Sequence, residues 1–95
     1  MRKIVRTPAA VRDLAAITDY IAADNLTAAL GFYDEIDRLL TMVAQYPEMG
    51  EAVDQLSPGL RRFTHGNYVL FYHDVDDEIE LIRVLHGARD IDRLF

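Results

Sequence analysis

Apolar residues recur with two different spacings along the chain, and the spacing changes at Pro47. Before Pro47 they fall three or four positions apart, which is the period of an amphipathic helix. After it they alternate with polar residues, which is the period of a half-buried strand. The first half of the chain therefore predicts helices, and the second half predicts a sheet.

Two helices are predicted in the first half. Thr7 and Pro8 supply an N-cap and a first helical residue whose missing N–H costs nothing, so a helix is expected over residues 8–23. Asn25 can cap a second helix over residues 26–46, and a break this short predicts an antiparallel helical hairpin. The predicted apolar stripes are Val11, Leu14, Ile17 and Ile21 in the first helix and Phe32, Tyr33, Ile36, Leu39, Leu40 and Val43 in the second, with Arg12, Asp13 and Asp19 outside.

The second half predicts antiparallel strands between residues 60 and 87. Gly66-Asn67 and Asp76-Asp77 are signals for tight turns, and the second of these lies in an acidic run that is typical of a solvated hairpin. With a short strand over residues 3–6, the order becomes βααβββ. We therefore expect an α+β fold: an N-terminal strand and an antiparallel helical hairpin packed on a three- to four-stranded antiparallel sheet, in a single domain over residues 1–95 with a C-terminal tail at 90–95.

Composition narrows the class of protein. With 95 residues and no cysteine, the chain predicts one small domain without disulfides, thiolate nucleophiles or Cys-based zinc sites. It has no signal-peptide core and no apolar run of about 20 residues, so we expect a cytoplasmic protein outside the membrane. No HExxH pair, P-loop or nucleophile elbow is present, and we expect no metal or cofactor.

The net charge of −6 argues against direct binding of nucleic acid, because such binding relies on Lys and Arg to release counterions. Lys3 is the only lysine. A local basic patch on the sheet remains open, and it would comprise Arg61, Arg62, Arg83 and Arg89.

The stretch from Arg83 to Asp90 groups several candidate functional side chains. A predicted strand ends at Gly87, with a histidine and two arginines around the glycine. Plain alternation places Arg83 on the same side as the apolar residues of its strand, namely Ile79, Leu81 and Leu85. An arginine there needs a partner such as the carboxylate of Asp90. Arg89 and Asp90 can also pair with each other to fix the tail.

A catalytic interpretation of this corner remains open at this stage. It would use the three histidines as acid and base and arginines to hold phosphate, the candidates being His65, His73, His86, Arg61, Arg83 and Arg89. His65 and His73 fall at strand ends, where polar residues are common. His86 is equally consistent with fixing the corner and with touching a partner.

The chain resembles ParE-type toxins of the RelE/ParE superfamily, the toxin half of bacterial type II toxin–antitoxin pairs. Motifs in a fixed order carry the resemblance from Val5 to Asp90: Thr7-Pro8-Ala9-Ala10, Asp13-Leu14, Tyr20-Ile21-Ala22, Pro47-Glu48-Met49-Gly50, Gly59-Leu60-Arg61, Gly66-Asn67-Tyr68-Val69-Leu70-Phe71-Tyr72 and Arg83-Val84-Leu85-His86-Gly87-Ala88-Arg89-Asp90. Leu26 departs from similar sequences, which often have proline there. The resemblance implies the helical hairpin on an antiparallel sheet and a ParD-like antitoxin as partner.

Two activities occur on this fold. RelE-type toxins are ribosome-dependent mRNA endonucleases in which lysines and arginines do most of the work, whereas ParE-type toxins inhibit DNA gyrase by binding it. The acidic charge and the missing lysines favour the ParE interpretation, an inhibitor without catalytic residues of its own. The alternatives are a RelE-like ribonuclease and a non-toxic homologue kept for binding or regulation.

The resemblance and the residue types together give two sets of candidate binding residues. The candidates for contact with the target are Arg83, His86, Arg89, Asp90 and Phe95. The candidates for contact with the antitoxin, which is expected to cover an apolar groove on the helices and the sheet face, are Leu60, Arg62, Phe63, Tyr68 and Leu81.

Overall fold

The computed structural model describes residues 1–87. Its elements in chain order are β1 (Lys3–Arg6), α1 (Pro8–Ala22), α2 (Leu26–Gln45), a 3-10 turn (Pro47–Met49), β2 (Glu51–Ala52), β3 (Leu60–His65), β4 (Tyr68–Val75) and β5 (Glu78–His86). The expected tail at 90–95 lies outside the described residues. The predicted α+β class, with an N-terminal strand and a helical hairpin against a sheet, is confirmed.

Both helices begin at the predicted caps. The Thr7 side chain accepts a hydrogen bond from the backbone N–H of Ala10 at 3.2 Å, and Asn25 accepts one from Ala28 at 3.0 Å. Both capping residues have extended backbones, as an N-cap requires. Neither helix in the described part of the chain has the length and apolarity needed to cross a bilayer.

The sheet is larger than expected and it is mixed. Five strands lie in the order β1-β5-β4-β3-β2, and β1 pairs with β5 in parallel while the other neighbours are antiparallel. The fifth strand is β2, whose two residues are too few for an alternating pattern to reveal. The direction of β1 depends on a pairing between the two ends of the chain, which local spacing does not encode.

The pairing of β1 leaves part of β5 with an open edge. Lys3 lies opposite Glu78 and Arg6 lies opposite Leu81, where β1 ends. β5 continues to His86 with β4 on one side only. The polar backbone groups on the other edge of this segment therefore need partners that are not a strand.

A bulge in β5 changes which residues share a face. Tyr72 pairs with Leu81 and the next residue back, Phe71, pairs with Arg83, so Ile82 is an extra residue in β5. Alternation predicts Arg83 on the face of Ile79, Leu81 and Leu85. Arg83 shares a face with Leu85, but its placement with Ile79 and Leu81 is wrong. The bulge moves Arg83 to the opposite face, because one inserted residue inverts a period of two.

Both faces of the sheet are covered. The helices pack on one face, where the buried residues are Ala10, Leu14, Ile36, Leu40, Leu70, Leu81 and Val84, continued by Val43, Ala44, Tyr72 and Ile79. The other face carries Val53, Leu60, Val69, Phe71 and Leu85, with Leu56 and Ile82 packed against them. The segment between β2 and β3 thus closes a second, smaller core.

Two residues of the predicted helical stripes are not in the core. Val11 is 50% exposed and Tyr33 is 41% exposed. α1 instead buries Ala10 and Leu14. Ala10 and Leu14 contact the core beneath the helices, and Val11 lies outside that contact.

Candidate functional site

A carboxylate from α1 holds the end of β5. Oδ2 of Asp13 accepts a hydrogen bond from Nε of Arg83 at 2.6 Å, and Oδ1 accepts one from Nη2 at 2.8 Å. Oδ2 also accepts the backbone N–H of Val84 at 3.0 Å. The side chains of Arg83 and Asp13 are 27% and 14% exposed, so the pair is largely shielded from water.

This arrangement corrects two expectations. Asp13 was placed on the outer side of α1, but its carboxylate is turned towards the sheet and partly buried. Arg83 was expected to use Asp90, which lies outside the described residues. The signal in the sequence was the Asp13-Leu14 motif, whose acidic residue directly precedes a buried leucine.

Thr7 joins the same edge of β5 just below Asp13. Its backbone N–H donates to the carbonyl of Leu81 at 3.1 Å, and its hydroxyl lies 2.9 Å and 3.0 Å from the carbonyls of Leu81 and Ile82. The hydroxyl oxygen is also the N-cap of α1. The start of α1 therefore replaces the missing strand along the open edge of β5.

His65, Tyr68 and His86 form one row across β3, β4 and β5. Tyr68 lies opposite His65 on one side and opposite His86 on the other, so the three side chains share a face of the sheet. The ring centroids of Tyr68 and His86 are 5.7 Å apart in an edge-on arrangement. Phe32 of α2 packs on Tyr68 at 5.1 Å, which identifies this face as the one that the helices cover.

Glu35 of α2 faces this row from above. Its Oε1 lies 3.5 Å from Nε2 of His65. The hydrogen bond from Arg38, aided by the charges of Arg38 and His65, holds the pKa of Glu35 below its usual value. The structure thus brings together two of the three predicted histidines. His73 lies on the other face of β4, with Nδ1 at 3.7 Å from Glu80.

The arginines of β3 and β5 do not form a single basic patch. Arg61 and Arg62 are neighbours in β3 and so point to opposite faces. Nη1 of Arg61 donates to the carbonyl of Gly50 at 2.7 Å, and Arg62 pairs with Glu51 at 3.1 Å. With Arg83 bound to Asp13, all three arginines of these strands have acceptors within the chain.

Two of the candidate antitoxin contacts belong to the core. Leu60 and Leu81 are 1% and 0% exposed, so the fold would have to open before a partner could touch them. Arg62, Phe63 and Tyr68 are partly exposed. Phe63 packs beside the cluster that contains Tyr72, and it points away from the face of its neighbour Arg62.

An exposed apolar stripe on α2 was missed. Leu26, Leu30 and Tyr33 are 65%, 59% and 41% exposed, and their spacing of four and then three residues places them on one side of the helix. The sequence contains a signal for it, since Leu26 and Leu30 are large apolar residues that do not fit the buried stripe through Ile36. We call these three residues the α2 stripe.

The remaining candidates and cavities add little. Arg89, Asp90 and Phe95 lie outside the described residues. Two open depressions of about 340 and 640 Å³ lie beside Tyr46 and beside Tyr20, away from the row of His65, Tyr68 and His86. Within residues 1–87, no group of three or more His, Asp or Glu side chains is arranged to hold a metal ion.

The family model and the individual proteins that match this chain are all described as toxins. Residues 4–91 match the family model described as the ParE toxin of the type II toxin–antitoxin system parDE. Toxin ParE1 of Mycobacterium tuberculosis is 35% identical over 60 residues, which are 62% of this chain and 61% of that protein. Toxin ParE1 of Caulobacter vibrioides is 38% identical over 60 residues, covering 63% and 62%. These two matches thus span about three-fifths of each relative.

A longer match is Toxin RelE2 of Caulobacter vibrioides, 31% identical over 90 residues, which are 94% of this chain and 99% of that protein. Among solved structures, a chain of the chromosomal ParDE TA system from P. aeruginosa superposes with a TM-score of 0.74 at 24% identity, covering 90% of this chain and 96% of that one. At this identity, the structural match supports the fold.

Proposed function

The chain belongs to the ParE toxin family of type II toxin–antitoxin systems, and from this premise we propose that it inhibits DNA gyrase by binding and that a ParD-like antitoxin neutralises it. Such a target places its action in the cytoplasm. The chain then needs a surface that recognises gyrase and a second, overlapping or separate, surface for the antitoxin.

The engagement of the strand arginines is the observation that supports binding over ribonuclease chemistry. Cleavage of RNA by a 2′-hydroxyl needs cations that can stabilise charge developing on the phosphorus. Arg61, Arg62 and Arg83 are each bonded to a carbonyl or a carboxylate of the chain itself. An arginine paired with a carboxylate contributes little net positive potential, and the net charge of −6 opposes docking on ribosomal RNA.

We assign the gyrase contact to His86 and Arg83 at the end of β5, and to Arg89, Asp90 and Phe95 that follow in sequence. His86 is partly exposed at the end of its strand. It is backed by Tyr68 and Phe32, which fix the position of the row. A surface of this kind can bind a partner through a few anchored side chains.

For the antitoxin we propose a contact surface on α2 and the adjoining sheet. The α2 stripe exposes three apolar side chains at helical spacing, and Phe63 and Tyr68 are partly exposed on the sheet. An amphipathic segment of a ParD-like partner can cover such a stripe with its own apolar face. The solved ParDE system of P. aeruginosa, which shares this fold, agrees with a partner of this kind.

A supercoiling assay tests the proposed activity. Purified chain is added to gyrase and relaxed plasmid, and we expect supercoiling to be inhibited and then restored when a ParD-like protein from a neighbouring reading frame is added. His86→Ala and Arg89→Ala should weaken inhibition. His73→Ala and Arg12→Ala are matched controls, because His73 lies on the opposite face and Arg12 is exposed on α1, and they should leave inhibition unchanged.

The rival function is ribosome-dependent cleavage of mRNA. The near full-length match to a protein named Toxin RelE2 and the row of His65, Tyr68 and His86 favour it. Site-specific cuts in translated mRNA after induction, with gyrase activity unaffected, would overturn our proposal. A folded chain whose induction causes no growth defect would instead indicate the non-toxic homologue.

A further inference from the structure

We propose that Asp13 is a positioning residue for the target-binding end of β5: it fixes Arg83 and the backbone at Val84, and through them the placement of His86. This inference rests on the proposed gyrase contact. It assigns to a helical residue a role at a surface formed by the sheet.

Asp13 makes three hydrogen bonds that together leave the end of β5 little freedom. Two of them go to Nε and Nη2 of Arg83, and a side-on pair of this kind fixes the plane of the guanidinium as well as its distance. The third goes to the backbone N–H of Val84. One side chain thus restrains both the neighbouring side chain and the strand itself.

The position of Val84 determines the position of His86. The two residues lie opposite Leu70 and Tyr68 on the same face of β4, so they are consecutive side chains on one face of β5. A shift of the strand at Val84 would move the His86 ring relative to Tyr68, against which it packs edge-on. Asp13 therefore acts on His86 through the backbone of β5.

The bulge at Ile82 explains why the strand needs this restraint. Below the bulge, β5 is held on both edges, by β1 and by β4. Above it, β4 remains on one edge only, and the extra residue offers an alternative register one position away. Thr7 binds the carbonyls at the bulge and Asp13 binds the N–H just beyond it, so α1 selects one register.

The partial burial of the Asp13–Arg83 pair fits a role in geometry. Removing two charges from water offsets much of their attraction, so such a pair contributes less to stability than its hydrogen bonds suggest. The pair instead fixes the orientation of the Arg83 side chain, because a carboxylate and a guanidinium match in only a few orientations.

Asp13→Asn is the primary test. It keeps the size of the side chain but removes the charge and one of the two acceptor oxygens. We expect the concentration for half-inhibition of gyrase to rise about tenfold or more, measured on samples that circular dichroism and urea unfolding show to be folded. Asp13→Glu keeps the charge and should recover part of the inhibition.

Asp74→Asn is the matched control. Asp74 pairs with Arg2 and is also partly buried, but it lies at the opposite end of β4 from Tyr68. We expect the concentration of this variant that half-inhibits gyrase to stay within about twofold of the parent value. If Asp13→Asn also stays within that range, or if both variants lose inhibition in proportion to the fraction unfolded, the positioning role is wrong.

A readout independent of gyrase separates this inference from the proposed function. In Asp13→Asn we expect amide hydrogen exchange at Val84 to become about tenfold faster and the NMR signals of the His86 ring to shift, with exchange at Leu70 unchanged. Absence of both changes rules out positioning. If the parent chain does not inhibit gyrase while both changes occur, the proposed target is wrong and the positioning stands.

Discussion

Tyr72 is the residue on which the turn after α2 depends. Its hydroxyl donates to the carbonyl of Pro47 at 2.6 Å and accepts the backbone N–H of Gly50 at 2.9 Å. The side chain is 0% exposed, and its ring belongs to the cluster beneath α2. These two hydrogen bonds attach the turn from Pro47 to Gly50 to β4, although the turn and Tyr72 are far apart in the sequence.

Tyr72→Phe should lower the free energy of unfolding by about 1–3 kcal/mol, because two shielded backbone groups lose their partner while the packing of the ring is kept. Urea denaturation measures this loss. Tyr46→Phe is the control: Tyr46 is 68% exposed, and its change should stay within about 0.5 kcal/mol. Equal losses in the two variants would contradict the role of the buried hydroxyl.

The same hydroxyl predicts a dependence of stability on alkaline pH. Burial raises the pKa of Tyr72 above the ordinary value of 10.0. The unfolded chain therefore loses this proton first as the pH rises, and stability falls from about pH 10 upwards until the folded pKa is passed. Unfolding experiments between pH 9 and about 11 should show a steeper decline for the parent than for Tyr72→Phe.

Gly50 is required by contact rather than by its backbone angles. A Cβ atom at Gly50 would lie 2.4 Å from the hydroxyl oxygen of Tyr72 and 2.7 Å from its ring. Gly50→Ala should therefore cost about 1–3 kcal/mol of stability. Gly31→Ala is the control with the opposite sign: it has nothing within 4 Å inside α2, and it should stabilise the protein by about 0.5–1 kcal/mol. Thermal unfolding of both variants measures these two changes in stability.

Among the elements, the β4–β5 turn has the least favourable backbone. Asp76 and Asp77 have φ values of 52° and 60°, the left-handed region that favours glycine. These angles at both central residues of a two-residue loop are those of a type I′ turn, which suits the twist of the hairpin. The sequence predicted the turn, but an Asn-Gly pair would have fitted it better than two aspartates.

Asp77→Gly should stabilise the protein by about 0.5–1 kcal/mol, because it relieves the backbone at a positive φ and removes one of two adjacent like charges. Asp34→Gly is the matched control in the interior of α2, where the same replacement should destabilise by roughly 0.3 kcal/mol, the difference between the helix propensities of Asp and Gly. In urea denaturation, we expect the two substitutions to change the free energy of unfolding in opposite directions. Destabilisation by Asp77→Gly would show that the aspartate makes contacts that outweigh its backbone cost.

The elements also show where reasoning from spacing succeeds and where it fails. The helix caps at Thr7 and Asn25 and the hairpin turn at Gly66 follow from local chemistry, and they lie where they were predicted. The side to which Arg83 points was missed. It depends on the bulge at Ile82, which forms through pairing with β4 and leaves no mark in the alternation itself.

On the scale of the whole molecule, charge is the property that constrains function most. With a net charge of −6 and its strand arginines engaged, the chain should not bind duplex DNA or single-stranded RNA at physiological salt. Fluorescence anisotropy with labelled oligonucleotides at up to about 10 µM protein tests this. Binding that weakens steeply with salt would indicate a basic surface and would favour the ribonuclease alternative.

The sequence by itself determined the class of fold, the positions of both helices and the family. These properties depend on contacts between residues close in the chain, or on motifs that can be compared directly. It also indicated the end of β5 as the candidate site, because His86 and its neighbours combine several reactive side chains beside a glycine.

Only the tertiary structure decided how that site is held. Asp13 and Arg83 are 70 residues apart. Their pairing requires β1 to end opposite Leu81, α1 to follow the open edge of β5 and a bulge to turn Arg83 to the other face. Likewise, Leu60 and Leu81 are buried because two cores form on the two sides of one sheet. Such outcomes depend on long-range packing and register, for which a linear pattern of apolar and polar residues carries no direct signal.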